Sequence, residues 1–229
     1  MSLQANYSEI LSRIQSASQR SEYNEEVRLV VVTKTIEPPI IDEVVKLGAS
    51  RIAENRVQEI QRKYEQIARI EELEFHLIGS LQTNKVKYII DKVALIHSLD
   101  RYDLAKEINR QAQKNGKIQK CLLQIKVSEE ESKKGMATDE VFEFAQLLRD
   151  EFPNIKICGV MGMAPYFDEP QKSRPYFQKL RNYFDELKNR AIFDEDFTIL
   201  SMGMSNDFEV AIEEGANMVR IGSAIFEEN

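Results

Sequence analysis

Cysteine is nearly missing from this chain: Cys121 and Cys158 are the only two among 229 residues, and they form no Cys-x-x-Cys. A redox dithiol and a zinc knuckle therefore lack their spacing, and a reducing cytoplasm is the expected compartment. Histidine is equally scarce. His76 and His97 are the only two, each inside an expected strand with no ligand cluster beside it, so hydrogen-bonded core histidines are expected rather than a metal site. No stretch approaches membrane-spanning length, and the N-terminus has no basic segment followed by an apolar run, so neither a membrane segment nor an export signal is read. Excess positive charge is absent as well. A formal net charge of −7 argues against a broad nucleic-acid surface, although a small anionic ligand needs only a local positive pocket.

Hydrophobic residues make up 42% of the chain and charged residues 30%, which is ordinary for a globular protein. At this length one large core can form, and one domain spanning residues 1–229 is expected. Short β-branched runs alternate with longer helical patterns, the signature of βαβ units. Eight such runs stand at Val27–Thr33, Ser50–Ala53, Glu74–Gly79, Ala94–Leu99, Ile118–Val127, Ile155–Met161, Thr198–Met202 and Asn217–Ile221. Helical patterns fill gaps at Pro38–Leu47, Arg56–Ile70, Arg101–Lys114, Asp139–Glu151 and Gln171–Arg190, after a leading amphipathic helix at Leu3–Arg20. Thr138-Asp139-Glu140 reads as a capping start, and Gly48 and Asn115-Gly116 stand where a left-handed C-terminal residue belongs. Eight parallel strands close most naturally into a (β/α)8 TIM-type barrel. The alternative, an open doubly wound sheet, would want a glycine-rich fingerprint after the first strand, where this chain has Thr33-Lys34-Thr35.

In such barrels the functional residues gather where the strands end. Counting by twos, Val30, Val32 and Lys34 share a face. If that face points inward, an ammonium stands in the barrel mouth, where desolvation favours an imine-forming amine; a snorkelling or ion-paired lysine is the alternative. Met218, Arg220 and Gly222 share a face in the last strand, and an inward Arg220 requires an acceptor from the protein or from a ligand. The loops after the last two strands carry Ser201-Met202-Gly203-Met204-Ser205-Asn206 and Gly222-Ser223. These are small residues at the place where β/α barrels hold phosphate, and Ser205 is expected to donate as the following helix begins. A lysine, an inward arginine and a phosphate cradle together match an aldehyde, a ring nitrogen and a phosphate, all of which pyridoxal 5′-phosphate (PLP) carries.

Val32-Thr33-Lys34, Ala53-Glu54-Asn55-Arg56-Val57-Gln58-Glu59, Phe75-His76-Leu77-Ile78-Gly79, Leu81 to Lys87, Ser128 to Gly135, Leu200 to Ser205 and Val219-Arg220-Ile221-Gly222 resemble, in order and over nearly the whole chain, the PLP homeostasis protein family. That family's barrel is similar to the N-terminal domain of alanine racemase. The resemblance implies a PLP imine on Lys34, with Arg220 facing the pyridine nitrogen and Ser205, Gly222 and Ser223 holding the phosphate. It further implies that Asn55 and Met202 line the pocket with Ser201 nearby, and that Lys133 is a second functional lysine at the mouth. Two positions depart from the family's common pattern: Ala53 stands where glycine is usual, and Gly162 where threonine is frequent. The second puts in doubt a side-chain contact from strand six.

The implied role is to buffer and deliver PLP and to balance amino- and keto-acid pools, without substantial turnover. PLP-dependent apo-enzymes are the candidate recipients, and a monomer is expected. The competing reading is a small amino-acid racemase. It needs a second acid–base group on the far face of the substrate, which in alanine racemase comes from a C-terminal domain, whereas this chain ends seven residues after Gly222. A third reading, a PLP-independent enzyme acting on a phosphorylated metabolite, has no acid–base pair to support it.

Overall fold

The computed structural model describes residues 2–130 and 135–227. Its strands are β1 (Arg28–Val32), β2 (Arg51–Glu54), β3 (Glu74–Leu77), β4 (Leu95–Leu99), β5 (Gln119–Gln124), β6 (Ile155–Met161), β7 (Ile199–Ser201) and β8 (Met218–Ile221). All neighbours pair in parallel, and β8 closes onto β1, so the chain is a (β/α)8 TIM-type barrel. Around it lie α1 (Leu3–Arg20), α2 (Pro38–Lys46), α3 (Val57–Tyr64), α4 (Tyr102–Lys114), α5 (Val141–Glu151), α6 (Arg174–Asn189), α7 (Phe208–Glu213) and α8 (Ser223–Phe226).

Alternation along each strand divides the apolar residues into two cores. Val30, Ala53, Leu95, Leu122, Cys158, Met161, Ile199 and Met218 fill the barrel interior. Their neighbours in sequence, such as Val31, Ile52, Cys121, Val160 and Val219, pack outward against the helices. Both cysteines are buried free thiols, and burial pushes each thiol pKa up. Backbone pairing is thinnest between β7 and β8, where Ser201 and Met218 are the one register pair. The Asn217 side chain stitches this seam, accepting from the Leu200 N–H at 2.8 Å and donating to the Thr198 carbonyl at 2.7 Å.

The leading helix has a structural role. α8 is only one turn long, too short to cover the outer face of β8 and β1. α1 lies against α7 and α8 in its place, burying Tyr7, Ile10, Ile14 and Ala17 at helical spacing. Asn6 locks the contact by donating to the carbonyls of Ile225 and Glu227 at 3.1 and 3.2 Å.

Some local expectations are corrected. The Arg56–Ile70 pattern is α3 plus a separate 3-10 turn at Ile70–Glu72. Thr138-Asp139-Glu140 does not cap: α5 begins after Glu140 with no side-chain hydrogen bond. Gly48 and Gly116 do take positive φ, 105° and 60°. β5 stops at Gln124 rather than Val127; beyond it Ile125 makes an isolated parallel bridge with Met136, which donates to the Gln124 carbonyl at 2.8 Å and accepts from the Lys126 N–H at 2.9 Å.

Candidate functional site

The C-terminal ends of the strands surround a cavity of about 750 Å³ whose wall includes Val32, Lys34, Asn55, Arg220, Gly222 and Ser223. That lies within the roughly 300–1,000 Å³ of small-molecule sites. Lys34 follows β1 in a turn closed by the Ile36 N–H on the Thr33 carbonyl, 2.9 Å. It is solvent-exposed at the rim, so the desolvated ammonium expected from strand parity is not what the fold builds. Of the alternatives, an exposed lysine matches the snorkelling one; among the described residues none hydrogen-bonds or ion-pairs with its side chain.

Arg220 forms part of the cavity floor and is 3% exposed. One Nη donates to Ser201 Oγ at 2.6 Å and the other to the Gly162 carbonyl at 3.1 Å. Burial lowers its pKa to about 10, with the Asp207 charge acting in the opposite direction. Among the described residues no carboxylate touches it, so a buried cation keeps N–H donors that only a ligand or water can satisfy. Strand six thus contributes a backbone carbonyl where a side chain was in doubt; a Cβ at Gly162 would sit 2.7 Å from Leu180 Cδ2, so a side chain there would require the end of Leu180 to shift.

Below Arg220 a polar column descends the barrel axis. His97 Nδ1 lies 3.2 Å from Ser201 Oγ, and His97 Nε2 lies 3.1 Å from His76 Nδ1. Arg220 can only donate, and the Ser201 hydroxyl that accepts from it keeps its own hydrogen to give; one assignment that satisfies the whole column turns that hydrogen to His97 Nδ1. His97 then carries its proton on Nε2 and donates to His76, whose proton is left on Nε2, 3.7 Å from Glu74 Oε2 at the opposite rim. Burial pushes the pKa of both imidazoles down, in keeping with two neutral rings.

The loops after β7 and β8 meet at Ser205, whose Oγ accepts from the N–H groups of Gly222 and Ala224 at 3.3 and 3.4 Å. Here the Ser205 hydroxyl accepts, where it was expected to donate at the start of the following helix, and α7 begins only at Phe208 with Asp207 at its N-cap. Gly203, at φ 90°, lets this loop lie against α7: a Cβ there would meet Phe208 Cα at 2.9 Å. Gly222 allows a similar approach to the Val32 carbonyl, 2.9 Å from a hypothetical Cβ.

Asn55, Ser205, Gly222 and Ser223 therefore line the cavity with Lys34 and Arg220. Ser201 lies beneath it, fully buried, on Arg220. Met202 is a correction. It is buried in the layer between barrel and helices, because adjacent strand residues point to opposite faces and Ser201 already takes the inward one. Lys133 lies outside the described residues.

Sequence reasoning missed the clamp behind Lys34. Lys63 of α3 and Glu54 of β2, both without exposed side-chain surface, pair at 2.7 Å. Lys63 also donates to the Thr33 carbonyl at 2.7 Å, and the Thr33 hydroxyl donates to Glu54 at 2.8 Å. One node thus holds the residues immediately before Lys34 and Asn55. The available signal was Lys63 falling three residues after Ile60, on the buried stripe of α3. Gly79, the end of the third expected strand, carries a constraint that its motif does not explain: a Cβ there would lie 2.0 Å from the Asn55 carbonyl oxygen.

Known proteins match this architecture. The family model for the alanine racemase N-terminal domain matches residues 5–229. The pyridoxal phosphate homeostasis protein of Aquifex aeolicus is 46% identical over 225 residues, 96% of each chain, and that of Helicobacter pylori (strain 26695) is 33% identical over 96% of each. The structure of PipY of Synechococcus elongatus with PLP bound superposes with a TM-score of 0.79 at 31% identity, covering 93% of this chain and 99% of that one. An alanine racemase of Clostridium difficile shares the fold at 17% identity, TM-score 0.73, with this chain spanning 57% of its length. With relatives of this identity matched end to end, the chain belongs to the pyridoxal phosphate homeostasis protein family.

Proposed function

We propose that this protein binds PLP in the cavity at the barrel mouth and serves PLP homeostasis, holding the cofactor reversibly and giving it up, without substantial turnover of its own. The observation that carries the reading is that one cavity presents a lysine amine, a buried guanidinium with no carboxylate partner among the described residues, and converging backbone amides. Bound PLP supplies an aldehyde that condenses reversibly with primary amines, a ring nitrogen and a phosphate. The donor set fits. Lys34 is the amine that holds the aldehyde end, Arg220 donates to the ring nitrogen, and the Gly222 and Ala224 amides with the Ser205 and Ser223 hydroxyls hold the phosphate.

Arg220 also supports a store over a catalyst. A guanidinium that remains charged donates a hydrogen bond to the ring nitrogen without transferring a proton, which leaves the ring a weak electron sink. The racemase reading has one specific observation in its favour: Tyr166 is a phenol on the cavity wall. It is 72% exposed, and no hydrogen bond among the described residues fixes its hydroxyl, whereas a working base must be held in place. PLP-dependent apo-enzymes are the recipients this reading calls for, and the chain acts as a single-domain monomer. The deciding experiment is a visible spectrum before and after borohydride, followed by mass analysis of peptides. A pyridoxyl adduct on Lys34 is expected, and an adduct on another lysine, or none, overturns the assignment.

A further inference from the structure

Lys34 borders a second cavity. About 430 Å³ in volume, it shares Lys34, Thr35 and Asn55 with the first and extends over the start of α3, where Glu37, Arg56, Glu59, Arg62 and Lys63 complete its wall. Its charges do not cancel. Arg62 holds Glu37 at 2.8 and 3.1 Å and Glu59 at 2.9 Å. Lys63 is consumed by buried Glu54 at 2.7 Å, with Glu59 at 3.7 Å. Both wall carboxylates are thereby taken. Lys34 and Arg56 remain, and among the described residues neither side chain has a hydrogen-bond or ion-pair partner. The second cavity therefore carries surplus positive charge beside the amine of Lys34.

We propose that this second cavity is the entry site for the α-carboxylate of a free amino acid, with Arg56 as its anchor. The inference rests on the PLP-binding reading of Lys34 and adds to it the ligand that prompts release. Arg56 presents a planar fork matched to a carboxylate, and the wall shared at Lys34 and Asn55 places the neighbouring amine at the linkage to be exchanged. The exchange balances without a co-reactant: one primary amine enters, and the amine of Lys34 is returned. Simple amines lack the anchor, so amino acids are preferred among the amines of the cell. A carrier built this way yields its cofactor in response to the amino-acid pool.

Two measurements test this. The first uses cofactor-free protein and L-lactate, which keeps the carboxylate but has no amine, followed by chemical-shift titration. Saturable binding is expected, weakened about tenfold in Arg56→Gln, the loss of one hydrogen-bonded charge pair, and partly retained in Arg56→Lys. Absence of binding, an unchanged affinity in Arg56→Gln, or displacement of lactate by equimolar inorganic phosphate overturns the proposal. The second uses PLP-loaded protein and compares PLP release by L-alanine and by ethylamine at equal free-base concentration. Alanine is expected to act on the order of tenfold faster in the wild type, with the ratio falling to near one in Arg56→Gln and the resting spectrum unchanged. A ratio near one in the wild type also overturns it. Should no PLP be held on Lys34, the reading of the first cavity fails by itself, and the lactate titration still decides the second.

Discussion

Replacing Lys63 with methionine keeps most of the side chain's length and removes its charge. What remains is Glu54, without exposed surface, its Oε2 without a hydrogen-bond partner and its Oε1 left with the Thr33 hydroxyl at 2.8 Å. Breaking one side of a buried pair costs about 3–5 kcal/mol. Proton uptake sets a ceiling on that figure: starting from an ordinary glutamate at about 4.3, protonation costs roughly 3.7 kcal/mol at pH 7 and about 1 kcal/mol at pH 5. Losing the hydrogen bond to the Thr33 carbonyl adds about 1 kcal/mol. The expected deficit is therefore about 4–5 kcal/mol at pH 7, and about 2 kcal/mol at pH 5. The sign follows from linkage: the folded variant binds a proton on its stranded carboxylate that the unfolded chain releases, so its deficit shrinks as pH falls. Urea midpoints at both pH values measure it, with an unchanged m-value confirming that stability alone moved. At pH 7 the melting temperature should drop by about 8–20 °C. The double variant Glu54→Leu/Lys63→Met leaves no buried charge at this node and should recover most of the loss. Equal deficits at the two pH values, or a double variant worse than the single, would refute the reasoning.

Ser205→Ala should weaken PLP retention by about 1.5–3 kcal/mol, roughly 10- to 150-fold in dialysis equilibrium, while leaving the borohydride-trappable linkage on Lys34; unchanged retention would move the phosphate elsewhere. His76 and His97 are held neutral by burial, whereas the unfolded chain takes up protons below about pH 6.5, so stability falls as the pH drops. His97→Asn should make urea midpoints less steep between pH 6.5 and 5.5, by up to about 1.4 kcal/mol per pH unit, and an identical slope would mean that His97 is charged in the fold. Chiral chromatography of alanine and serine after long incubation with the PLP-loaded protein should show turnover far below about 1 per second; a rate at or above that value would replace the store with an enzyme.

Strand parity was legible in the sequence because its period of two is rigid: Val30 and Val32, like Met218 and Arg220, turn to the interior as counted. The same rule excludes Met202, whose neighbour Ser201 holds the inward position. Other features left little trace. Lys63 has the residue type of a solvated helix face, and only its alignment with Ile60 hints that it is buried. The Gly162 carbonyl that receives Arg220 belongs to the backbone, which every residue shares, so no side chain could announce it. The polar column joins residues from β3, β4, β7 and β8, and each of its spacings is fixed by barrel closure rather than by local pattern. Gly79 is the opposite case, a residue visible in its motif whose reason, contact with the Asn55 carbonyl, appears only in three dimensions.

The hydroxyl of Ser205 already occupies the amides of Gly222 and Ala224, at the long distances of 3.3 and 3.4 Å. On the proposed reading an arriving phosphate would not meet bare donors; it would take over from a tenant whose freed hydroxyl turns to donate to it, the bond that Ser205→Ala removes, and when it leaves the tenant would return. The gain on binding is then the difference between two occupied states, and departure exposes no orphaned amide that would hold the anion back. Tight capture is the virtue of an enzyme that never surrenders its cofactor. A reservoir has to empty as readily as it fills, and a cradle that can satisfy itself makes the empty protein a stable resting form.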